Sequence, residues 1–152
     1  MAKGRRFILI SSLSCRTQLY TNYGRHRRAC ELLVLTGNSL VVRLGPMFGG
    51  NRKEDMLHDI LAGRTVYISR KSNYAYVNVA WAGNKIIELI NASTGIQEIG
   101  ARNSVNLGDL ADHFNSKSNF VGIVEIQIPE NYTDGPNANE IYKYAENEKI
   151  NN

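Results

Sequence analysis

The chain has 152 residues, 43% hydrophobic and 21% charged, a balance that fits one globular domain with a real core and excludes wholesale disorder. Its formal net charge of +4 is mild, favouring anionic ligands but arguing little for nucleic acid. No apolar run approaches the length of a membrane-spanning helix.

Lys3, Arg5 and Arg6 precede "FILI" in the manner of a secretory leader, but the apolar run breaks at Ser11 and is too short for one. "RFILIS" instead predicts a strand buried on both faces. A helical pattern follows from Tyr23 to Leu35, with Asn22 as N-cap and Tyr23, His26, Cys30, Leu33 and Val34 as its inward face. Gly37 and Asn38 stop it. "SLVVRL" reads as a second buried strand, "GPMFGG" as a loop, and "EDMLHDILAG" as a short helix closed by Gly63.

"TVYIS" reads as a strand, and "YVNV" as another short strand or a lead-in to the helix that follows. "WAGNKIIELINAS" reads as a helix with Ile86, Ile87, Leu89 and Ile90 inward. "IQEIG" is a strand, "NLGDLADHF" a helix opened by Asn106, and "VGIVEIQI" a last strand with period-two alternation. Strands alternating with helices predict an α/β fold with a mostly parallel sheet and flanking helices. Residues 1–129 are expected to form the domain, and the polar residues 130–152 a loose or docking tail.

The basic cluster Arg25, His26, Arg27 and Arg28, with Arg16 nearby, has no interleaved aromatic residues, so it reads as a solvated helix face and no nucleic-acid partner is expected. Cys15 and Cys30 lack metal spacing and are too few for a disulfide framework. With the scattered His26, His58 and His113 they predict no metal site and a reducing, cytoplasmic setting.

Five motifs in order carry a family resemblance. Ser11-Ser12, then Tyr23 with a basic residue one helical turn later, resembles the Ser and Tyr-x-x-x-Lys elements of short-chain dehydrogenase/reductases. "LVVRLGPMFGG", "MLHDILAGRTVYIS", "YAYVNVAWAGNKIIELI" and "GIQEIGARNSVNLGDLADHF" resemble the later strands and helices of the extended branch, the NAD(P)-dependent sugar epimerases and dehydratases. The resemblance runs from Phe7 to Phe114.

It implies a Rossmann-like scaffold in which Tyr23 is the acid/base, Ser12 (ahead of Ser14) bonds the same substrate oxygen, and Arg27 stands for the lysine. A free phenol, with pKa ~10, is a poor base at neutral pH; a nearby cation favours the phenolate, and the i, i+4 spacing puts both groups on one helix face. It also implies a nucleotide-sugar ligand, with Pro46, Met47 and Phe48 of the Gly/Pro loop lining its site.

Three departures bear on activity. Arg27 replaces an ammonium with a bulkier planar guanidinium. Trp81 stands where an acidic residue is often found. Tyr74 and Ala75 occupy the place of an arginine that holds the nucleotide phosphate, a role that Arg70 or Lys71 could take over.

NAD or NADP is implied by the resemblance alone, and no cofactor is the competing expectation. Only six residues precede Phe7 and no Gly-x-Gly-x-x-Gly motif is present. The expectation is therefore a truncated Rossmann-like domain, without independent hydride chemistry, whose exposed strand edge is covered in a homo-oligomer or by a separate chain. The alternatives are a ligand- or protein-binding module, or a small cofactor-independent enzyme using Ser12, Tyr23 and the basic cluster at an oligomer interface.

Overall fold

The computed structural model of the protein describes residues 6–35, 37–50, 54–130 and 134–150. Lys3, Arg5 and tail residues 131–133, 151 and 152 lie outside the described residues. The elements run β1 (Ile8–Ser12), α1 (Ser14–Thr17), α2 (Asn22–Val34), β2 (Leu40–Leu44), β3 (Met47–Phe48) and α3 (Met56–Leu61). They continue with β4 (Asn73–Tyr74), β5 (Val77–Asn78), α4 (Val79–Ala92), β6 (Gly95–Ile99), β7 (Val105–Asn106), α5 (Leu107–His113), β8 (Ile126–Gln127) and α6 (Glu140–Ile150).

The main sheet is parallel, in the order β1-β2-β6. A parallel pair β3-β5 and a small mixed sheet β7-β4-β8 extend the fold beyond its C-terminal edge. This is the expected α/β class with mostly parallel pairing. Burial on both faces belongs to the central strand β2, where Leu40, Val41 and Val42 are wholly buried. The expectation that β1 is buried on both faces is corrected, because β1 is an edge strand with Phe7 and Ile10 exposed.

Helix ends follow the side chains that can satisfy their free amides. Asp55 caps α3, Asn78 caps α4, and Asn106 caps α5 by accepting from the amides of Gly108 and Asp109. Gly63, in the left-handed region at φ +70°, follows the end of α3 as expected. In α4, Ile86, Leu89 and Ile90 pack against the core but Ile87 is exposed, a correction to the expected inward face.

"TVYIS" is not a strand: it makes a single parallel bridge, Val66 to Phe120, and leaves Tyr67 exposed. Its partner segment continues alongside, the Ser69 amide donating to the Ile123 carbonyl at 2.8 Å, and Gly122 lies so close to the Tyr67 carbonyl that a Cβ would sit 2.7 Å from it. Within "VGIVEIQI" the strand itself is β8.

Residues 134–150 of the polar tail dock rather than hang loose. Ala138, Ile141 and Ala145 are wholly buried in the main core, and Tyr144 packs on Phe48 with ring centroids 5.2 Å apart. Polar composition hid this because three small or branched apolar residues at helical spacing suffice to seat α6.

Candidate functional site

In parallel α/β sheets, crevices form beyond the carboxyl ends of the strands. Here β1 ends at Ser12 and β2 at Leu44, and beyond them lies an open cleft of about 190 Å³. Ser12, Ser14, Gln18, Pro46, Tyr74 and Gln127 line it. Buried Leu13 starts α1, its amide donating to the Leu44 carbonyl at 3.0 Å, and this turns both serines toward the cleft mouth. Ser12 Oγ accepts from the Ser14 amide and donates to Ser14 Oγ, both at 3.2 Å.

Helix α2 is pressed against α1 through Gly24. A Cβ there would stand 2.2 Å from the Gln18 carbonyl oxygen and 2.6 Å from that of Ser14, so only glycine allows the approach. Its N-cap is Thr21, whose hydroxyl accepts from the Gly24 amide at 2.9 Å, rather than the expected Asn22.

The buried face of α2 also differs from the expected one, of which Cys30 and Val34 are half-buried. Gly24 and Glu31 are buried, whereas Tyr23 is 55% and Leu33 81% exposed, with His26 exposed too. Tyr23 stands outside the cleft lining. Arg27 donates to the Ile10 carbonyl. In the β1–β2 register that carbonyl points to the outer edge of β1, since Phe7 and Leu13 make the bonds to β2. The guanidinium therefore caps an edge that lacks a strand neighbour among the described residues.

The difference has an electrostatic cause. Ser11, Arg43 and Glu98 sit in one rung across β1, β2 and β6. Glu31 descends onto that rung from α2: Arg43 Nη2 donates to Glu31 Oε2 at 2.7 Å, and Ser11 Oγ to Glu31 Oε1 at 2.7 Å. Arg43 Nη1 also donates to Glu98 Oε1 at 3.0 Å, and Arg16 from α1 donates to Glu98 Oε2 at 2.8 Å.

Burial alone would raise the Glu31 carboxyl. Hydrogen bonds from Arg43, Cys15 and Ser11 outweigh it and hold the value at about 2. Burial and the bond to Glu31 push the Cys15 thiol up to about 12, so it stays protonated and is no nucleophile. A buried carboxylate of this kind must keep its partners, so it fixes which side of α2 faces the sheet.

The far wall of the cleft repeats the pattern. Along 125–129 the polar Glu125 and Gln127 are buried and the intervening Ile126 is exposed. Glu125 accepts from Gln18 Nε2 and from the Tyr74 hydroxyl, both at 2.6 Å, and from the Tyr20 hydroxyl. Its own amide donates to Ser72 Oγ at 3.0 Å. The bond to Glu125, then burial, pushes the Tyr20 phenol up to about 12. Burial, then the same carboxylate, raises Tyr74 still further. Both phenols are held protonated.

The structure thus brings Ser12, Ser14 and Pro46 to one cleft and leaves the other expected residues outside its lining. Met47 is half-buried on β3 against the core, and Phe48 is a core residue with its ring tilted against that of Tyr144. Arg70 is exposed, paired with Asp112 and donating to the Gly108 carbonyl at 3.2 Å on the α5 side. Trp81 packs partly against the core.

Gln18, Glu125 and Gln127 were missed by sequence reasoning. The available signal was a Glu and a Gln in phase with each other in an otherwise apolar segment, since a buried polar phase is more informative than an exposed apolar one. Among the described residues no group of three or more His, Cys, Asp or Glu is arranged to hold a metal, and no helix is long and apolar enough to cross a membrane.

A dinucleotide needs a glycine-rich turn delivering its pyrophosphate to a helix N-terminus. Among the described residues α2 opens with a Thr21 cap and α3 with Glu54 and an Asp55 cap, which carry no such cradle and, at α3, the wrong charge. Neither of these two helix starts offers a dinucleotide its pyrophosphate site.

No protein-family model and no curated protein matches the sequence. Solved structures do match. The dTDP-4-dehydrorhamnose reductase of Bacillus anthracis, in complex with NADP, is 17% identical with a TM-score of 0.67, the alignment covering 95% of this chain and 65% of that one. A UDP-N-acetylglucosamine 4-epimerase from Methanobrevibacter ruminantium, in complex with UDP-N-acetylmuramic acid, is 11% identical with a TM-score of 0.65, covering 95% and 62%. The NAD-dependent NDP-hexosamine 5,6-dehydratase TunA is 12% identical with a TM-score of 0.60, covering 92% and 56%. The chain spans less than two thirds of the length of each of these enzymes. Over that part, the chain has the Rossmann-like α/β fold of the NAD(P)-linked sugar epimerases, dehydratases and reductases.

Proposed function

We propose that this chain is the substrate-side part of a nucleotide-sugar epimerase or dehydratase scaffold, binding the sugar of a nucleotide sugar in the cleft beside Ser12 and carrying out no hydride transfer by itself. The observation that carries this reading is Ser12: a hydroxyl at the carboxyl end of β1, opening on a polar cleft in a fold shared with sugar-modifying enzymes. Ser12 Oγ is the group that bonds a sugar oxygen. Tyr23 is the acid/base and Arg27 its neighbouring cation, acting only when a second surface encloses the exposed side of α2.

That surface is a second copy or a separate chain. Phe7 just before β1, Ile10 on it, and Tyr23 and Leu33 on α2 present an apolar face toward it. NAD or NADP belongs to the completed assembly. Cys15 and Cys30 are free thiols, in keeping with a cytoplasmic setting.

The test is calorimetric titration with UDP-glucose, run beside absorbance at 340 nm with NADH and NADPH. Saturable sugar-nucleotide binding with no change in absorbance is expected. Absence of binding, or turnover of either dinucleotide by the isolated chain, overturns the proposal.

A further inference from the structure

The cleft beside Ser12 has an unusual rear wall. Glu125 is 8% exposed, and its two oxygens accept from three donors on separate segments: Gln18 after α1, Tyr20 before α2, and Tyr74 in β4. An ionised carboxylate is acceptor-only, so each of those partners must turn a proton toward it. A phenol has one proton, and Tyr74 and Tyr20 spend theirs on Glu125. What they keep is lone pairs. Gln18 keeps its carbonyl oxygen and one N–H.

Ser12, Ser14 and Gln127 are neutral, and among the described residues no charged side chain lines the cleft. Directly behind Gln18 and Tyr74 stands the Glu125 carboxylate, with the ion pairs of Arg16 and Arg43 committed to Glu31, Glu98 and Glu130 instead. A wall rich in acceptors and backed by a negative charge suits a ligand that donates hydrogen bonds and repels one that is anionic.

We propose that Glu125 sets the specificity of this cleft, which takes a neutral hydroxyl-bearing sugar ring and rejects the same ring when it carries a carboxylate. This deepens the sugar-binding reading given above and rests on it. Glu125 itself is a positioning residue: it touches the ligand only through Tyr74 and Gln18, whose free hydrogen-bonding capacity it decides.

Nucleotide-free probes separate this claim from the wider reading. Saturation-transfer NMR with methyl β-D-glucopyranoside and methyl β-D-glucuronopyranoside tests the cleft, and parallel titrations with UDP-glucose and UDP-glucuronate test the nucleotide. The neutral glycoside is expected to bind about tenfold better than the acidic one. Glu125→Gln, near-isosteric but uncharged, should bring the two together. Tyr74→Phe keeps the charge, so it should weaken the neutral glycoside while preserving discrimination.

Circular dichroism establishes that each variant is folded. Should Glu125→Gln not fold, the wild-type ratio and the Tyr74→Phe result still decide the matter. Equal binding of the two glycosides by wild type, binding of neither, or full discrimination retained in folded Glu125→Gln overturns the proposal. If UDP-glucose binds no better than the methyl glycoside while discrimination holds, the nucleotide reading falls and the role of Glu125 stands.

Discussion

Helix α5 meets the core with leucines, and helix α2 meets it with a carboxylate. In α5, Leu107, Gly108, Leu110 and Ala111 are buried under an Asn106 cap, so periodicity, cap and packing all point the same way. In α2, Glu31 is wholly buried while Leu32, Leu33 and Tyr23 look outward. The first helix is held by apolar area, which is non-directional. The second is held by ion pairs and hydrogen bonds at defined positions across β1, β2 and β6, so its rotation about its own axis is fixed by a few atoms.

The largest effect that would break this contrast is at Glu31. Glu31→Ala removes one partner of a buried network and leaves Arg43 facing a void, though Glu98 still pairs it. A loss of about 3 kcal/mol or more is expected in urea unfolding, near the lower end for a broken buried pair.

The same carboxylate gives a pH signature. Its folded value of about 2 lies below the ordinary 4.5, so its contribution is fully present above 4.5 and is lost as pH falls toward 2. Glu31→Gln should flatten the stability–pH curve in that window. An unchanged slope would mean that the carboxylate is not held by Arg43.

Next in size is Leu110→Ala in α5, where a wholly buried side chain is truncated. About 2–3 kcal/mol should be lost, within the usual range for core leucines. Smallest is Leu33→Ala in α2: at 81% exposed it should change stability by no more than about 0.5 kcal/mol. Comparable losses at Leu110 and Leu33 would show that both helices bury their apolar faces and would remove the contrast.

This difference also explains what was legible in the sequence. Element order and fold class could be read because apolar runs and helix stops mark β2, β6, α3, α4 and α5 without tertiary knowledge. The Asp55, Asn78 and Asn106 caps are local as well. Ser12 and Pro46 come to one cleft because Ser12 ends β1 and Pro46 follows the end of its neighbour β2. What could not be read was the facing of α2 and of the segment at β8. In both, partners distant along the chain bury a glutamate, Arg43 for Glu31 and Tyr74 for Glu125. Periodicity sees where apolar residues recur, and it has no access to a carboxylate whose burial cost is offset from another strand. Arg70, placed from its neighbourhood to a phosphate arginine, lies instead against α5 because Asp112 and the Gly108 carbonyl hold it there.

The central claim is that a sugar ring sits against Ser12 in the cleft bounded by Gln18, Tyr74 and Gln127. Amide chemical-shift mapping of the isotopically labelled chain during titration with UDP-glucose tests it most directly. The account predicts saturable shifts at Ser12, Ser14, Gln18 and Gln127, abolished together in Ser12→Ala, with the amides of α5 unmoved. Shifts centred on Arg70, Gly108 and Asp112, or no shifts at the cleft at saturating ligand, would contradict it.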